Sequence, residues 1–219
     1  MTVLFVTATI IFFLGVDWVV RRAKERKVQL VASVPSVLPL RTPEGIFFAP
    51  SHTWLNLFPS GRVRLGIDDF VGSMLEASEV SLMRSPGERV ERGDPLIALS
   101  DGERRLVLSA PIAGEIVSVN NEIEKNPRLM RENLFSEGWA YTIRPKSVEE
   151  LRTLLMGEES RNWMAEELRR LRDLLAGLGG RGALAPVALQ DGGTPAPGLL
   201  KHLDASAWKQ FEAEFLKVQ

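Results

Sequence analysis

The sequence predicts an α+β protein with three parts: a single N-terminal transmembrane helix, a β barrel or sandwich domain, and amphipathic helices at the C-terminus. Three patterns support this prediction. Residues 1–16 carry no charged side chain, the middle region alternates short apolar stretches with turn residues, and the C-terminal region repeats leucines at helical spacing between charges. Because the patterns occupy successive regions, we expect three successive structural units.

The composition excludes several classes of site. The chain of 219 residues has no cysteine, which rules out disulfides, thiolate metal sites and cysteine nucleophiles. Its two histidines, His52 and His202, are too few for a typical zinc site. The 27 basic and 28 acidic side chains nearly cancel, so the bulk charge does not favour nucleic acid as a partner. We therefore expect no metal site and no nucleic-acid partner.

Residues 1–20 are predicted to form a transmembrane helix. Residues 1–16 are uncharged and apolar on every face, and continuing the helix to residue 20 at ~1.5 Å per residue gives roughly 30 Å, the thickness of a hydrocarbon core. Trp18 is expected at the membrane interface, where Arg21 and Arg22 begin a basic cluster. A cleaved secretory signal would carry its positive charge before the apolar run. The order found here predicts a single-pass anchor in the inner (cytoplasmic) membrane, with the N-terminus outside and the following domain in the cytoplasm.

Residues 21–43 are predicted to form a basic tether between the anchor and the folded domain. Pro35 and Pro39 disfavour a helix and favour an extended chain. The basic cluster at the start of the tether is expected to be solvated and attracted to anionic lipid headgroups. The folded domain is expected to begin near Glu44.

Residues 44–145 are predicted to form the β domain. Short apolar stretches are separated there by turn sequences such as Ser-Pro-Gly at 85–87. One helix interrupts the strands at about residues 68–76, because Asp68 and Asp69 are suited to cap a segment with apolar residues at helical spacing.

The C-terminal region is predicted to contain a helical extension, a loop and a last helix. Residues 146–178 form the extension, residues 179–204 form a Gly/Pro-rich loop, and residues 205–219 form an amphipathic helix. One face of this helix carries an aromatic stripe of Trp208, Phe211 and Phe215. The stripe either completes the domain's own core or docks on another subunit, and the pattern does not separate these alternatives.

The β domain resembles the glycine cleavage H-protein family in a series of short motifs. Residues 52–54 are similar to its opening His-x-Trp, and residues 65–70 to its Gly-Ile turn and short helix. Residues 109–120 are similar to its Ser-Pro-x-x-Gly-x-Val-x-x-x-Asn hairpin, and the pairs at 126–127 and 138–139 complete the pattern. The resemblance implies a hammerhead fold of the lipoyl and biotinyl carrier type, a barrel-sandwich hybrid.

The resemblance also implies a lipoyl-lysine at the tip of an exposed hairpin, and this chain departs from the family there. The aligned position is Glu103, and the nearest lysines are Lys27 and Lys125, neither of them on the hairpin. Lipoate is attached as an amide, which requires a primary amine that neither a carboxylate nor a guanidinium replaces. We therefore expect the fold of a carrier without its cofactor.

The residues most open to a catalytic interpretation are better explained by structure. His52 belongs to the His-x-Trp motif and has no neighbouring nucleophile in sequence. Asp68 and Asp69 are adequately explained as helix-capping residues. The Gly-rich residues 177–182 follow a helix instead of opening one, so they are interpreted as a connector and not as a phosphate-binding loop. The sequence predicts no enzyme and no catalytic residue.

Candidate contacts with a partner lie at the hairpin tip and on the last helix. Arg104 and Arg105 offer two positive charges and forked donors at the position from which carriers reach partner enzymes, although a solvated turn explains them as well. On the last helix, the candidates are Trp208, Phe211 and Phe215.

The preferred hypothesis is a non-catalytic accessory subunit that stabilises a larger membrane-embedded complex. Its partners would be an integral membrane protein complex and the lipid bilayer, and the complex would be bioenergetic, respiratory or photosynthetic. The alternative is a membrane-anchored delivery protein, similar to the H protein, that interacts with a lipoate-dependent enzyme system. An enzyme is the third hypothesis, and it lacks a recognisable pair of nucleophile and base.

Overall fold

The computed structural model describes residues 40–102, 104–179, 189–190, 194–195 and 198–216. The predicted transmembrane helix, the interface residues Trp18, Arg21 and Arg22, nearly all of the tether and Glu103 lie outside the described residues. Within the described residues, no helix is both long enough and apolar enough to cross a bilayer.

The described domain consists of short strands and a few helices. The strands in chain order are β1 (Phe47–Ala49), β2 (Thr53–Leu57), β3 (Val63–Ile67), β4 (Glu79–Leu82), β5 (Arg89–Val90), β6 (Pro95–Asp101), β7 (Arg104–Ser109), β8 (Gly114–Val119), β9 (Trp139–Pro145), β10 (Leu155–Met156), β11 (Leu189–Gln190) and β12 (Thr194–Pro195). The α-helices are α1 (Asp69–Leu75), α2 (Glu122–Lys125), α3 (Leu129–Glu132), α4 (Glu158–Gly179) and α5 (Ala205–Phe215). Two 3₁₀ helices span Val148–Thr153 and Leu199–His202.

Two antiparallel sheets form the body of the domain. The larger has seven strands in the order β10-β1-β2-β3-β9-β8-β5, and the smaller has three in the order β4-β6-β7. Tyr141 on β9 joins them, because its hydroxyl donates to the carbonyl of Leu96 on β6 at 2.8 Å and accepts from the Arg84 amide at 3.1 Å. Burial is the main cause that raises the pKa of Tyr141 to about 12.

One glycine of the family-like motif is required by packing. β3 carries a bulge between Leu65 and Gly66, where it pairs with β9. A Cβ atom at Gly66 would lie 2.7 Å from the indole ring of Trp54, which is fully buried. The close approach of backbone and ring therefore explains why this position has no side chain.

Helix α1 begins and ends close to the predicted bounds of 68–76. Asp68 is its N-cap, with Oδ1 accepting from the Val71 amide at 3.0 Å, while Glu76 ends it in the left-handed conformation. Its buried face includes Phe70, Val71, Met74 and Leu75.

The C-terminal region differs from the predicted extension in one respect. Leu155 and Met156 form strand β10, which pairs with β1 at the edge of the larger sheet. A strand of two residues carries no periodicity, which is why the sequence pattern did not indicate it. Helix α4 ends at Gly179, inside the Gly-rich connector, and α5 is capped by Asp204, whose side chain accepts from the amides of Ser206 and Ala207.

Candidate binding site at the hairpin tip

Strands β6 and β7 form the hairpin whose tip was predicted to correspond to the carrier position. The last pair in the register is Asp101 with Arg104, and Gly102 in the turn has a φ of 63°. Along β7, Leu106 and Leu108 are buried while Arg105 and Val107 point outward, as expected for a strand with one covered face. Because side chains alternate, Arg104 and Arg105 have different surroundings although they are adjacent.

The Arg104 guanidinium binds the chain's own C-terminal segment, which we define as residues 198–216. Nη1 donates to the carbonyl of Leu200 and Nη2 donates to the carbonyl of Leu203. The same guanidinium lies over the indole ring of Trp208, with Cζ 5.4 Å from the ring centroid. A planar fork that contacts two carbonyls and an aromatic face is a geometry that only arginine provides.

A second polar contact joins the tip to the same segment. The Lys201 ammonium lies 3.7 Å from the Asp101 carboxylate and 4.0 Å from the Glu76 carboxylate. Glu76 also pairs with Arg131 of helix α3. These charges are partly exposed, so the ion pairs contribute little to stability. Their main effect is that the two carboxylates favour a positive charge at position 201.

The backbone of the C-terminal segment enters the site at Gly198. Its amide donates to the Ser73 carbonyl of α1 at 2.9 Å, and its φ is 71°. A Cβ atom at Gly198 would lie 2.8 Å from Oε2 of Glu76. Three leucines of the segment are buried after this point: Leu199, Leu200 and Leu203.

The aromatic stripe of α5 packs on helix α1. Phe211 is fully buried, and its ring stacks on Phe215 with a centroid distance of 4.9 Å. Both rings also contact Phe70, at 6.3 Å and 5.5 Å. The stripe therefore completes the domain's own core, the first of the two alternatives, and a contact with another subunit through these rings would require α5 to leave the domain.

Arg170 of helix α4 holds the other end of α5. Its Nη2 donates to the Glu214 carbonyl at 2.8 Å, and its Cζ lies 4.9 Å from the centroid of the Phe215 ring. Nη1 also donates to Glu167 at 2.7 Å. The C-terminal segment is thus clamped by one arginine at each end, Arg104 and Arg170.

His52 and Asp68 form a buried pair beneath this segment. Nδ1 of His52 lies 2.8 Å from Oδ2 of Asp68, and the two side chains are 1% and 0% exposed. The imidazole stacks on Phe70 at 4.6 Å and lies 5.2 Å from Trp163. With aromatic rings on both sides and no access for a substrate, the pair links the start of β2 to the cap of α1.

Asp69, the other candidate capping residue, has a different role from the one expected. Its carboxylate accepts from Nε and Nη2 of Arg41 at 3.0 Å and 2.8 Å, and from the Arg41 amide at 2.8 Å. The hydrogen bond with Asp69 raises the pKa of Arg41. This fork joins the start of the described chain to α1.

A cavity of about 280 Å³ lies beside the tip, between α1, α3 and the C-terminal segment. Its apolar wall includes Val71, Leu75 and Leu99, and Lys201 lies at its edge. The C-terminal segment therefore forms part of the wall. No group of three or more metal-ligating side chains is present in the described ranges.

Comparison with known proteins identifies the domain. The model of the family described as Glycine cleavage H-protein matches residues 46–167, more than half of the chain. This chain belongs to the glycine cleavage H-protein family. The match contains both sheets of the domain, including the β6–β7 hairpin, and ends inside helix α4. The C-terminal segment that contacts the hairpin tip therefore lies beyond the match.

Individual relatives show similar coverage. The glycine cleavage system H protein of Coprothermobacter proteolyticus is 26% identical over 125 residues, which are 56% of this chain and 97% of the relative. A probable H protein of Pyrococcus furiosus is 30% identical over 109 residues, 49% of this chain and 79% of the relative. The crystal structure of the Mycobacterium marinum H protein is 28% identical, with a TM-score of 0.47, and covers 53% of this chain and 94% of that one.

The structure brings together part of the predicted set of contact residues. Arg104 and Trp208 meet in one site, and Phe211 and Phe215 lie behind them. Arg105 is separate, because its exposed side chain makes no hydrogen bond or ion pair with any described residue. Contact of any of these residues with a partner stays a prediction.

Sequence reasoning missed several residues of the site at the hairpin tip. Two acceptors of Arg104 are main-chain carbonyls almost a hundred positions away, and a carbonyl carries no residue-type signal. Lys201 and Arg170 stand in amphipathic stretches where charged residues are ordinarily solvated. The opposite charges of Asp101 and Lys201 were the one sequence feature that indicated this contact. The indication is weak because the two residues are far apart in the sequence.

Proposed function

We propose that this chain is a non-catalytic accessory subunit, in which one transmembrane helix and a cytoplasmic H-protein domain stabilise a larger complex in the inner membrane. The partner would be an integral membrane assembly of bioenergetic type, respiratory or photosynthetic. Family membership supports the domain, and the uncharged residues 1–16 followed by a basic cluster support the anchor.

The observation that carries the proposal is the chemistry of the hairpin tip. The tip offers no primary amine, since no lysine occurs between Lys27 and Lys125. Arg104 is engaged by two carbonyls, and the ammonium of Lys201 is directed at the Asp101 carboxylate. These residues do not fit a lipoyl group, and they support a protein contact surface in place of a carrier site.

The anchor is testable because the chain has no cysteine. Single variants Thr2→Cys and Ser36→Cys place one thiol on each side of the predicted helix. In intact spheroplasts, we expect a membrane-impermeant maleimide to label Thr2→Cys, and to label Ser36→Cys only after permeabilisation. Equal labelling of both variants before permeabilisation would contradict the single-pass topology.

The accessory role is tested by isolation from native membranes. The full-length chain, tagged at its C-terminus, is solubilised in mild detergent, and its partners are identified by mass spectrometry. We expect a fixed stoichiometric ratio with one integral membrane complex. Recovery of the solubilised chain without any partner complex would contradict the accessory role.

Family membership favours a second candidate, an H-like delivery protein that interacts with a lipoate-dependent enzyme system. The same isolation separates the two candidates, because the delivery protein would be recovered with a soluble lipoate-handling enzyme and not with a membrane complex. A modified lysine on the isolated chain would also favour delivery.

A further inference from the structure

We infer that the C-terminal segment is a releasable cover over the docking surface of the domain, and that the partner replacing it is a basic amphipathic helix. The inference rests on the proposed function, which it deepens by assigning the surface and the chemistry of its partner. The docking surface consists of the hairpin tip, the side of α1 that contacts α5 and the face of α4 that contacts α5.

The cover is an addition to the family domain. The matched residues end at 167, while the cover spans residues 198–216 and returns to contact β6, β7 and α1 from outside that match. Residues 180–197 connect it to helix α4. A segment joined by a connector of this length acts as an intramolecular ligand, whose local concentration excludes weak external competitors.

The contacts define what an occupant must present. Arg104 binds the carbonyls of Leu200 and Leu203, and free carbonyls occur at any helix end, so this contact depends on backbone geometry and not on side-chain identity. Asp101 and Glu76 form an acidic pair that accepts the Lys201 ammonium, so a cation is selected there. A partner that fits therefore carries a basic residue just before a helix.

The apolar part of the surface adds a spacing requirement. Trp208, Phe211 and Phe215 stand three and four residues apart, so they lie on one face of α5. Phe211 and Phe215 contact Phe70 on α1. The Arg104 guanidinium lies over Trp208, and the Arg170 guanidinium lies over Phe215. A competing helix needs large apolar side chains at this spacing to bury the same area.

Release of the cover has a structural consequence next to the tip. Lys201 is at the edge of the cavity of about 280 Å³, so departure of the segment opens that cavity toward the acidic pair of Asp101 and Glu76. Most polar contacts of the cover are made with Arg104 and Arg170. We therefore expect these two arginines to control its release.

The test uses the full-length protein in detergent and a matched pair of variants, Arg104→Gln and Arg105→Gln. The arginines are adjacent, but only Arg104 contacts the cover. Hydrogen exchange is followed by mass spectrometry in residues 199–216 and in strands β2 and β3. We expect Arg104→Gln to raise exchange in the cover by about tenfold or more with β2 and β3 unchanged, and Arg105→Gln to behave as wild type.

A fluorescent synthetic peptide of residues 198–216 then probes the uncovered surface. We expect it to bind Trp208→Ala, which loosens the cover from its own side and leaves the surface beneath unchanged, more tightly than wild type or Arg105→Gln. A peptide with Lys201→Glu is expected to lose at least about tenfold in affinity. If Arg104→Gln does not fold, Arg170→Gln loosens the opposite clamp and is measured by hydrogen exchange.

Two results would overturn the inference. Exchange that rises equally in the cover and in β2 and β3 would make the segment an inseparable part of the fold. Absence of peptide binding to every loosened variant would show that the surface accepts no helix in trans. Neither readout uses a membrane, so failure here is distinguishable from failure of the labelling and isolation experiments.

Discussion

At the scale of single residues, two side chains report on the packing of the domain more directly than the others. Trp54 is fully buried and lies against the backbone of Gly66, where no Cβ atom fits. Tyr141 is fully buried between the two sheets with its hydroxyl hydrogen-bonded at 2.8 Å. Both residues sit where strands from different parts of the chain meet, so each reports on tertiary structure.

We predict that Gly66→Ala lowers the free energy of unfolding by about 2–3 kcal/mol, because the added methyl would lie 2.7 Å from the Trp54 indole. Chemical denaturation followed by tryptophan fluorescence measures the change. Gly177→Ala is the matched control, since a Cβ there has nothing within 4 Å and the residue is in a helix. Gly177→Ala is expected to raise the free energy of unfolding by up to about 1 kcal/mol. If Gly66→Ala did not destabilise the protein either, the Trp54 ring and the Gly66 backbone would not be in contact.

We predict that the single tyrosine of the chain ionises with a midpoint near pH 12 in the folded protein. Its folded pKa is raised above the unfolded value of 10.0, so its contribution to stability is fully present below pH 10 and is lost as pH rises toward 12. Absorbance of tyrosinate measures the midpoint without interference from other tyrosines. Tyr141→Phe should abolish the signal, and a wild-type midpoint near pH 10 would mean that the hydroxyl is solvated.

At the scale of secondary-structure elements, the last helix depends on its cap and on its two clamps. Asp204 accepts hydrogen bonds from the Ser206 and Ala207 amides at 2.9 Å and 2.8 Å. The cap fixes the residue at which α5 begins. Because Trp208 lies in the first turn after this point, the cap also places the indole ring under the Arg104 guanidinium. The local sequence and the long-range contact therefore support the same helix.

We predict that Asp204→Ala destabilises α5 by about 1 kcal/mol and raises amide exchange there by roughly fivefold. Hydrogen exchange resolved to α5 and to the larger sheet measures the effect. Asp173→Ala, an exposed change inside α4, is the control and should leave both regions unchanged. Equal exchange in the two variants would indicate that the cap does not determine the stability of α5.

The elements that the sequence predicted well are those whose signal is local. The cap at Asp68 and the apolar spacing after it predicted α1, where Oδ1 of Asp68 accepts from the Val71 amide at 3.0 Å. The elements that sequence reasoning missed depend on distant partners. Strand β10 exists because β1 pairs with it, and the fork between Asp69 and Arg41 joins residues 28 positions apart.

At the scale of the whole molecule, the hairpin site combines a family domain with a segment that lies outside the family match. The domain at 46–167 provides the tip, and residues 198–216 supply the carbonyls and the cation that occupy it. Sequence reasoning reached the family and its fold from motifs, and the absence of the lipoyl lysine stays a prediction. It could not assign the occupant of the tip, because the contact depends on chain folding between positions 104 and 200.

Under the proposed function, the H-protein domain of this chain serves as a contact surface and not as a carrier. The most direct test is the intact mass of the purified full-length chain after incubation with lipoate, ATP and a lipoate-attaching enzyme, with a lipoyl-carrier domain treated in parallel as the positive control. The account predicts an unchanged mass for this chain while the control gains one lipoyl group. A stoichiometric gain of one lipoyl group on any lysine of this chain, Lys201 included, would contradict it.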